Sequence, residues 1–95
     1  MKCLMFWEYK PEDLDKALAK WADLIADRKK NPEKYPQEVF PPHGMSGEHK
    51  GITIVDNATE EQRNNTIIHY HPEMQIKFVP LHDAAKFIQQ YMKKK

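Results

Sequence analysis

The sequence has little of what marks a covalent, redox or phosphate-binding site, and it contains no long apolar run. Its 95 residues include one cysteine, three glycines and a single serine. One cysteine excludes an internal disulfide, and no glycine-rich loop of the kind that cradles phosphates is present. No apolar stretch reaches the roughly 18 residues that span a bilayer. We therefore expect neither a disulfide-stapled domain nor a membrane protein.

Charge is plentiful but balanced. Fifteen lysines and arginines face 14 aspartates and glutamates, which gives a formal net charge of +1. A balanced chain has no overall field that would draw it to nucleic acid or to an anionic membrane. The first residues, with one lysine and an apolar run broken at Glu8, do not have the pattern of a secretory signal. We expect a cytoplasmic protein that binds neither nucleic acid nor membranes.

Residues 1–95 predict a single domain, and hydrophobic periodicity divides it into the order β-α-β-β-α-β-α. Residues 2–9 are apolar on both faces, as a covered central strand is. The first helix begins near Pro11 and stops at Asn31-Pro32. Its apolar stripe comprises Leu14, Ala17, Leu18, Trp21, Leu24 and Ile25. Tyr35, in the following linker, is expected to fold onto the body of the domain.

Prolines and turn residues define the middle of the chain. Pro41 and Pro42 cannot donate to a ladder, so the strand within residues 38–45 is expected to be short, broken or at an edge. Residues 46–51 read as a hairpin turn and residues 52–55 as a third strand.

The second helix has the weakest periodic pattern in the chain. Asn57 as cap, with Glu60 at the capping-box position, predicts a helix start, and Pro72 predicts its end. Residues 66–71 could equally form a strand, because threonine, isoleucine and tyrosine favour sheets. We choose the helix. Its stripe would be Asn64, Ile67, Ile68 and His71, and the final helix would present Leu81, Ala84, Ala85, Ile88, Tyr91 and Met92.

This order predicts an α+β fold of the ferredoxin-like type, a four-stranded antiparallel sheet with helices on one face and an extra C-terminal helix. Strands 1 and 4 are expected to be neighbours in the middle of the sheet, with Glu8 opposite Lys77. Leu4, Phe6 and Val79 would lie on the face without helices, which predicts a homodimer. The expected core comprises Leu14, Leu18, Trp21, Ile25, Ile54, Ile76, Phe78, Ala84 and Ile88.

Several segments carry a family likeness. They are MFWE at 5–8 followed by KPE at 10–12, GITIV at 51–55, QIKFVP at 75–80, and NPEKYP at 31–36 with FPP at 40–42. Together they resemble the dimeric α+β barrel superfamily, and more narrowly small prokaryotic members that share a domain of unknown function. The resemblance implies a dimeric barrel built sheet against sheet. The superfamily includes monooxygenases, isomerases and amino-acid-sensing domains, but none of their catalytic motifs is matched here, and fold alone does not transfer function.

The five histidines and the cysteine are the candidates for chemistry. On a strand, His69 and His71 would share a face and could chelate a metal; on the preferred helix they lie nearly opposite, so we predict no metal site and no cofactor. His43, beside the hairpin turn, could act as an acid or base near neutral pH. Cys3 lies on an apolar strand face and is expected to be a buried structural thiol.

Large rings suggest a ligand site, although the same rings could simply fill a small core. The rings in question are Trp7, Tyr9, Trp21, Tyr35, Phe40 and Tyr70. We expect a gap between the sheet and the first two helices. The helix layer should be packed most loosely beside the polar first half of the second helix, and the gap should open near residues 40–50. Trp7 and Trp21 would wall it, with His43 or His71 at its edge.

Two functions follow from these observations. The first is a homodimer that binds a small apolar or aromatic metabolite, with catalysis left open. The second is a non-catalytic sensing or assembly module that has no ligand pocket.

Overall fold

The computed structural model describes residues 1–94, and its order of elements is the predicted one. The elements are β1 (Lys2–Tyr9), α1 (Leu14–Lys30), β2 (Gln37–Gly44), β3 (Lys50–Asp56), α2 (Glu60–Tyr70), β4 (Met74–Pro80) and α3 (Ala84–Lys93), with short 3-10 turns at Pro11–Asp13 and Pro32–Lys34. The choice of helix for α2 is therefore confirmed. None of the helices within residues 1–94 has the length and apolarity needed to cross a membrane.

The four strands form one antiparallel sheet in the order β2-β3-β1-β4. β1 and β4 are antiparallel neighbours as predicted, but β4 lies at an edge, because β1 pairs on its other side with β3. Glu8 faces Gln75 across this pair, and Lys77 faces Phe6. The predicted Glu8–Lys77 pairing is therefore wrong by two residues, although both side chains lie on the same face of the sheet.

β2 is an edge strand with an irregular register, as its prolines predicted. Its pairing with β3 shifts between Glu38 and Phe40 and again between Phe40 and His43. Proline has no N–H to give to a ladder, so Pro41 and Pro42 are tolerated where one side of the strand is unpaired and the register is already broken. Gly47 in the following turn adopts a left-handed φ of 78°, a conformation that glycine reaches without steric cost.

The cap of α2 is Thr59, and the predicted cap at Asn57 is wrong. The Thr59 hydroxyl accepts a hydrogen bond from the Gln62 backbone N–H at 3.1 Å, while the Gln62 side chain accepts from the Thr59 N–H at 3.0 Å. This reciprocal pair is a capping box two residues further along the chain than expected. Asn57 instead has φ 51° and accepts a hydrogen bond from the amino group of Met1 at 2.9 Å.

The face of α2 that packs inward is also different from the predicted stripe. Thr66 and Tyr70 are its buried residues, and Ile68 is 70% exposed. The later start of the helix does not change which residues of α2 share a face. The predicted stripe left out Thr66. This polar residue can lie inside because its hydroxyl donates a hydrogen bond to the Gln62 carbonyl at 3.0 Å.

The buried core is smaller than the sequence predicted. Its residues are Cys3, Met5, Ala17, Leu24, Tyr35, Val55 and Tyr70, with the polar Thr53 and Thr66. The expected core residues Leu14, Leu18 and Trp21 are 36%, 49% and 42% exposed, because a cavity separates the apolar stripe of α1 from the sheet. Truncating Trp21 should accordingly cost less than the roughly 3–5 kcal/mol of a fully buried tryptophan. The remaining expected members are half-buried (Ile25, Ile54, Ile76 and Phe78) or exposed (Ala84 and Ile88).

α3 lies on the outside of the domain with its apolar face exposed. Asp83 caps it by accepting hydrogen bonds from the N–H groups of Ala85 and Lys86 at 2.9 and 3.3 Å. None of its residues is buried, and Phe87 and Ile88 are 56% and 58% exposed. The predicted amphipathic helix therefore forms, but the described chain does not bury its apolar side.

Tyr35 folds onto the body as predicted and joins a small polar network at the end of α1. Its hydroxyl donates to Asp27 Oδ2 at 2.6 Å, Lys34 Nζ donates to the same oxygen at 2.9 Å, and Asn31 Nδ2 donates to Oδ1 at 3.0 Å. These hydrogen bonds hold the pKa of Asp27 well below its ordinary value, and the one from Tyr35 has the largest effect.

This network predicts an acid-dependent loss of stability. A carboxylate whose pKa is depressed in the folded state stabilises fully above its unfolded pKa of about 3.9, and that stabilisation disappears as the pH falls below it. We expect the urea midpoint of the wild type to fall more steeply between about pH 5 and pH 3 than that of Asp27→Asn, measured by circular dichroism. Asp23→Asn, an exposed site one turn earlier, should follow the wild type. Parallel profiles for Asp27→Asn and the wild type would contradict the role of this network.

Candidate functional site: a cavity between α1 and the sheet

A cavity of about 240 Å³ lies between α1 and the covered face of the sheet. Its wall is mainly apolar. The aliphatic part consists of Met5, Leu14, Leu18, Leu24, Val55 and Met74, and the aromatic part of Trp7, Tyr9, Trp21 and Tyr70. The exposed rim includes Leu18 and Trp21 of α1 and Gly44 of β2. An apolar cleft with a few polar groups is the usual form of a small-molecule site.

Trp7 lines the cavity and is held in place from two sides. Its indole N–H donates to the Thr53 hydroxyl at 3.3 Å, and its ring lies parallel to that of Tyr9 with centroids 6.5 Å apart. Gly51 is its cross-strand partner on β3. A Cβ at Gly51 would collide with the indole, so the absence of a side chain there allows the ring to lie flat on the sheet.

Three polar side chains lie at one end of the cavity. Arg28 of α1 and Glu38 of β2 form an ion pair, with Nη1 and Oε2 3.1 Å apart, and both line the cavity together with the buried Tyr70. Burial raises the pKa of the Tyr70 hydroxyl far above its ordinary value, and the negative charge of Glu38 raises it further. Tyr70 is therefore neutral at physiological pH and can donate a hydrogen bond, but it cannot serve as a base.

Of the four predicted site residues, the structure brings two to the cavity. Trp7 and Trp21 line it, whereas His43 and His71 do not. His43 lies on the other face of the sheet, where Nδ1 donates to the Pro41 carbonyl at 2.7 Å and the ring stacks on Phe40. His71 is exposed after the end of α2, and its backbone carbonyl accepts from Lys20 Nζ at 2.7 Å.

The reason given for the gap is also wrong. The polar first half of α2 does not line the cavity; this helix contributes Thr66 and Tyr70 from its second half. Pro42 and Gly44 of β2 line the cavity and belong to the segment 40–50 near which the opening was predicted. Of the other rings considered, Tyr35 is part of the core and Phe40 lies on the opposite face of the sheet.

The alternative of a histidine pair that chelates a metal is contradicted by the geometry of α2. His69 Nε2 donates to the Lys20 backbone carbonyl at 2.6 Å, so this nitrogen is already engaged. Within residues 1–94 no group of three or more histidine, cysteine, aspartate or glutamate side chains is placed to hold a metal ion. Cys3 is buried, as expected for a structural thiol.

Arg28 and Glu38 were missed as site residues. Arg28 reads as an ordinary basic residue in the last turn of a helix, and Glu38 as a charge on an edge strand. The strand register is what places Glu38 at the cavity: it pairs with Val55, whose side chain lies on the covered face.

Comparisons of the chain with protein-family models, with curated proteins and with solved structures give no significant match.

Proposed function

We propose that the protein is a cytoplasmic homodimer of the dimeric α+β barrel type, with a ferredoxin-like protomer, that binds a small apolar or aromatic molecule in the cavity between α1 and the sheet. The strand order β2-β3-β1-β4 and the two helices on one face support the ferredoxin-like assignment. The observation that carries the ligand proposal is the cavity itself, with two tryptophans in its wall and the Arg28–Glu38 ion pair among its lining residues.

The size and lining of the cavity limit what it can hold. Drug-sized ligands occupy pockets of roughly 300–1,000 Å³, so about 240 Å³ suits a molecule of one or two rings. Parallel packing against Trp7 and contact with Trp21 would favour a flat ring, since aromatic pairs gain about 0.5–1.5 kcal/mol beyond the area they bury.

Tryptophan fluorescence tests ligand binding directly. Titration with 2-naphthol should quench the emission of Trp7 and Trp21 in a saturable way, because both indoles line the cavity. Trp7→Phe should reduce the amplitude and weaken the apparent affinity. Free N-acetyltryptophanamide is the control for collisional quenching. Linear quenching that matches this control would refute ligand binding in the cavity.

The proposed dimer interface is the face of the sheet opposite α1 and α2, which we call the open face. The register places Leu4, Phe6, Ile52, Ile54 and Val79 on it, with Phe40 from β2. These are contiguous apolar side chains, half-buried or exposed, and a patch of this kind usually marks an interface. A second copy can cover it through the same patch, because a two-fold contact is self-complementary.

The exposed apolar face of α3 supports the same proposal. α3 follows β4 after a three-residue connection, and its apolar side chains remain exposed in the protomer. In a dimer formed through the open face, α3 starts beside the interface and can reach the partner. Association would bury both apolar surfaces, and exposed apolar patches of this kind typically mark interaction sites.

A further inference from the structure

Tyr70 is a buried residue whose hydroxyl makes no hydrogen bond within the described part of the chain. Tyr70 is only 4% exposed, and its ring packs with Leu24 and Tyr35. Its hydroxyl makes no hydrogen bond to any residue within 1–94. Within residues 1–94, however, every fully buried side-chain oxygen or nitrogen atom has a hydrogen-bond partner. An oxygen without a partner is therefore not fully buried. The hydroxyl must therefore be open to the cavity that Tyr70 lines.

The neighbouring ion pair leaves hydrogen-bonding capacity on both of its members. Arg28 has five N–H donors and Glu38 has about four acceptor sites, and their ion-pair contact between Nη1 and Oε2 at 3.1 Å leaves most of these sites available. Their charges cancel, so this end of the cavity is polar but close to neutral. A ligand carboxylate would meet the negative charge of Glu38, and a ligand cation would meet Arg28.

We propose that the ligand is a neutral hydroxylated aromatic molecule of one or two rings, a phenol or naphthol, whose hydroxyl accepts a hydrogen bond from Tyr70 and donates one to Glu38. The proposal rests on ligand binding in the cavity, as argued above, and adds the chemical class. A hydroxyl is the smallest group that can both accept and donate. The aromatic body lies against Trp7 and Trp21, in the apolar part of the wall.

Three naphthalene derivatives of similar size separate this proposal from its alternatives. 2-Naphthol has a hydroxyl, 2-methoxynaphthalene can accept but not donate, and 2-naphthoate carries a negative charge. Isothermal titration calorimetry on the full chain near pH 7 should give the tightest binding for 2-naphthol. One lost hydrogen bond to a charged acceptor corresponds to about tenfold or more, so the ether should bind at least about tenfold more weakly. The naphthoate should bind more weakly than the naphthol as well.

Variants that keep the shape of the cavity assign the effect to individual groups. Tyr70→Phe should weaken 2-naphthol and the ether by similar factors, about fivefold to tenfold each, because both ligand oxygens can accept from Tyr70, so the preference for the naphthol should remain. Glu38→Gln should reduce the preference for the naphthol over the ether. Tyr35→Phe is the matched control, because its hydroxyl bonds to Asp27 outside the cavity, and it should leave all three affinities unchanged.

The outcomes distinguish the two levels of the argument. If 2-naphthol and its ether bind the wild type equally well, or if Tyr70→Phe changes neither, the hydroxyl proposal is overturned while ligand binding stands. Preference for 2-naphthoate would overturn the neutral class. If none of the three compounds binds saturably, both this inference and the proposed ligand site fail.

Discussion

Ile54→Glu is expected to sediment as a monomer at concentrations where the wild type sediments as a dimer. Ile54 lies in a central strand of the open face, directly opposite Leu4 on one side and Phe40 on the other. In the proposed dimer a glutamate there would be buried without a partner, and the two-fold contact would repeat the defect in both copies. An uncompensated buried charge costs several kcal/mol, so the dimer dissociation constant should rise about a thousandfold or more.

Ile68→Glu is the matched control for this experiment. It makes the same substitution at an exposed isoleucine on α2, in the helix layer away from the open face. It should leave the dimer intact. Analytical ultracentrifugation of all three proteins over a range of concentrations is the measurement. A monomeric wild type at micromolar concentration, or a dimeric Ile54→Glu, would contradict the proposed interface.

Gly51→Ala is expected to lower the free energy of unfolding by about 3 kcal/mol, the upper part of the range for overpacking a filled site. The added methyl group would collide with the Trp7 indole and with the backbone carbonyl of His43. The indole can move only by leaving its position over the sheet, which would also lengthen its hydrogen bond to Thr53. The carbonyl belongs to the paired strand β2 and has little freedom. Urea denaturation followed by circular dichroism measures the loss.

Gly44→Ala is the natural control, because Gly44 faces Gly51 directly across the β2–β3 pair. The nearest atom to a Cβ at Gly44 is Trp7 Cη2 at 3.9 Å, an ordinary van der Waals contact. We expect this variant to change the free energy of unfolding by less than about 1 kcal/mol, as an alanine without a clash normally does. Equal losses in the two variants would show that Trp7 does not lie over Gly51 as described.

The elements themselves could be predicted because their signals are local. α1 ends at Lys30, immediately before the Asn31-Pro32 stop that the sequence predicts. α2 was identified from a capping motif and from Pro72, although the motif that caps it is that of Thr59. Such signals act within a few residues, so errors in them move a boundary without changing the type of the element.

Burial could not be predicted in the same way, because periodicity shows which residues share a face but not what covers that face. Leu18 and Trp21 are on the apolar side of α1, yet the cavity leaves them partly open. Ile68 belongs to the predicted stripe of α2 and is exposed, whereas the polar Thr66 is buried. On α3 the whole apolar face is exposed, and burying it would take a second surface packed against it.

The residues of the candidate site also fall into those that could be predicted and those that could not. Trp7 and Trp21 could be predicted, since large rings are the first candidates for an apolar wall. The pair Arg28 and Glu38 depends on the register of β2 with β3, which is interrupted on both sides of Phe40. The prolines predict that β2 is irregular, but they do not give the residues at which its register shifts, so the charged end of the cavity becomes visible only in the folded chain.

The two prolines of β2 also bear on how this protein behaves when it is concentrated. The outer edge of a sheet is a template onto which further strands can add, and such growth has no natural end. Pro41 and Pro42 remove two backbone donors from this edge strand, and its register with β3 shifts on both sides of Phe40, which interrupts regular pairing. Open-ended fibril growth is therefore disfavoured at β2. Association through the broad face of the sheet closes after two copies, so a chain that exposes so much apolar surface can still stop at a pair.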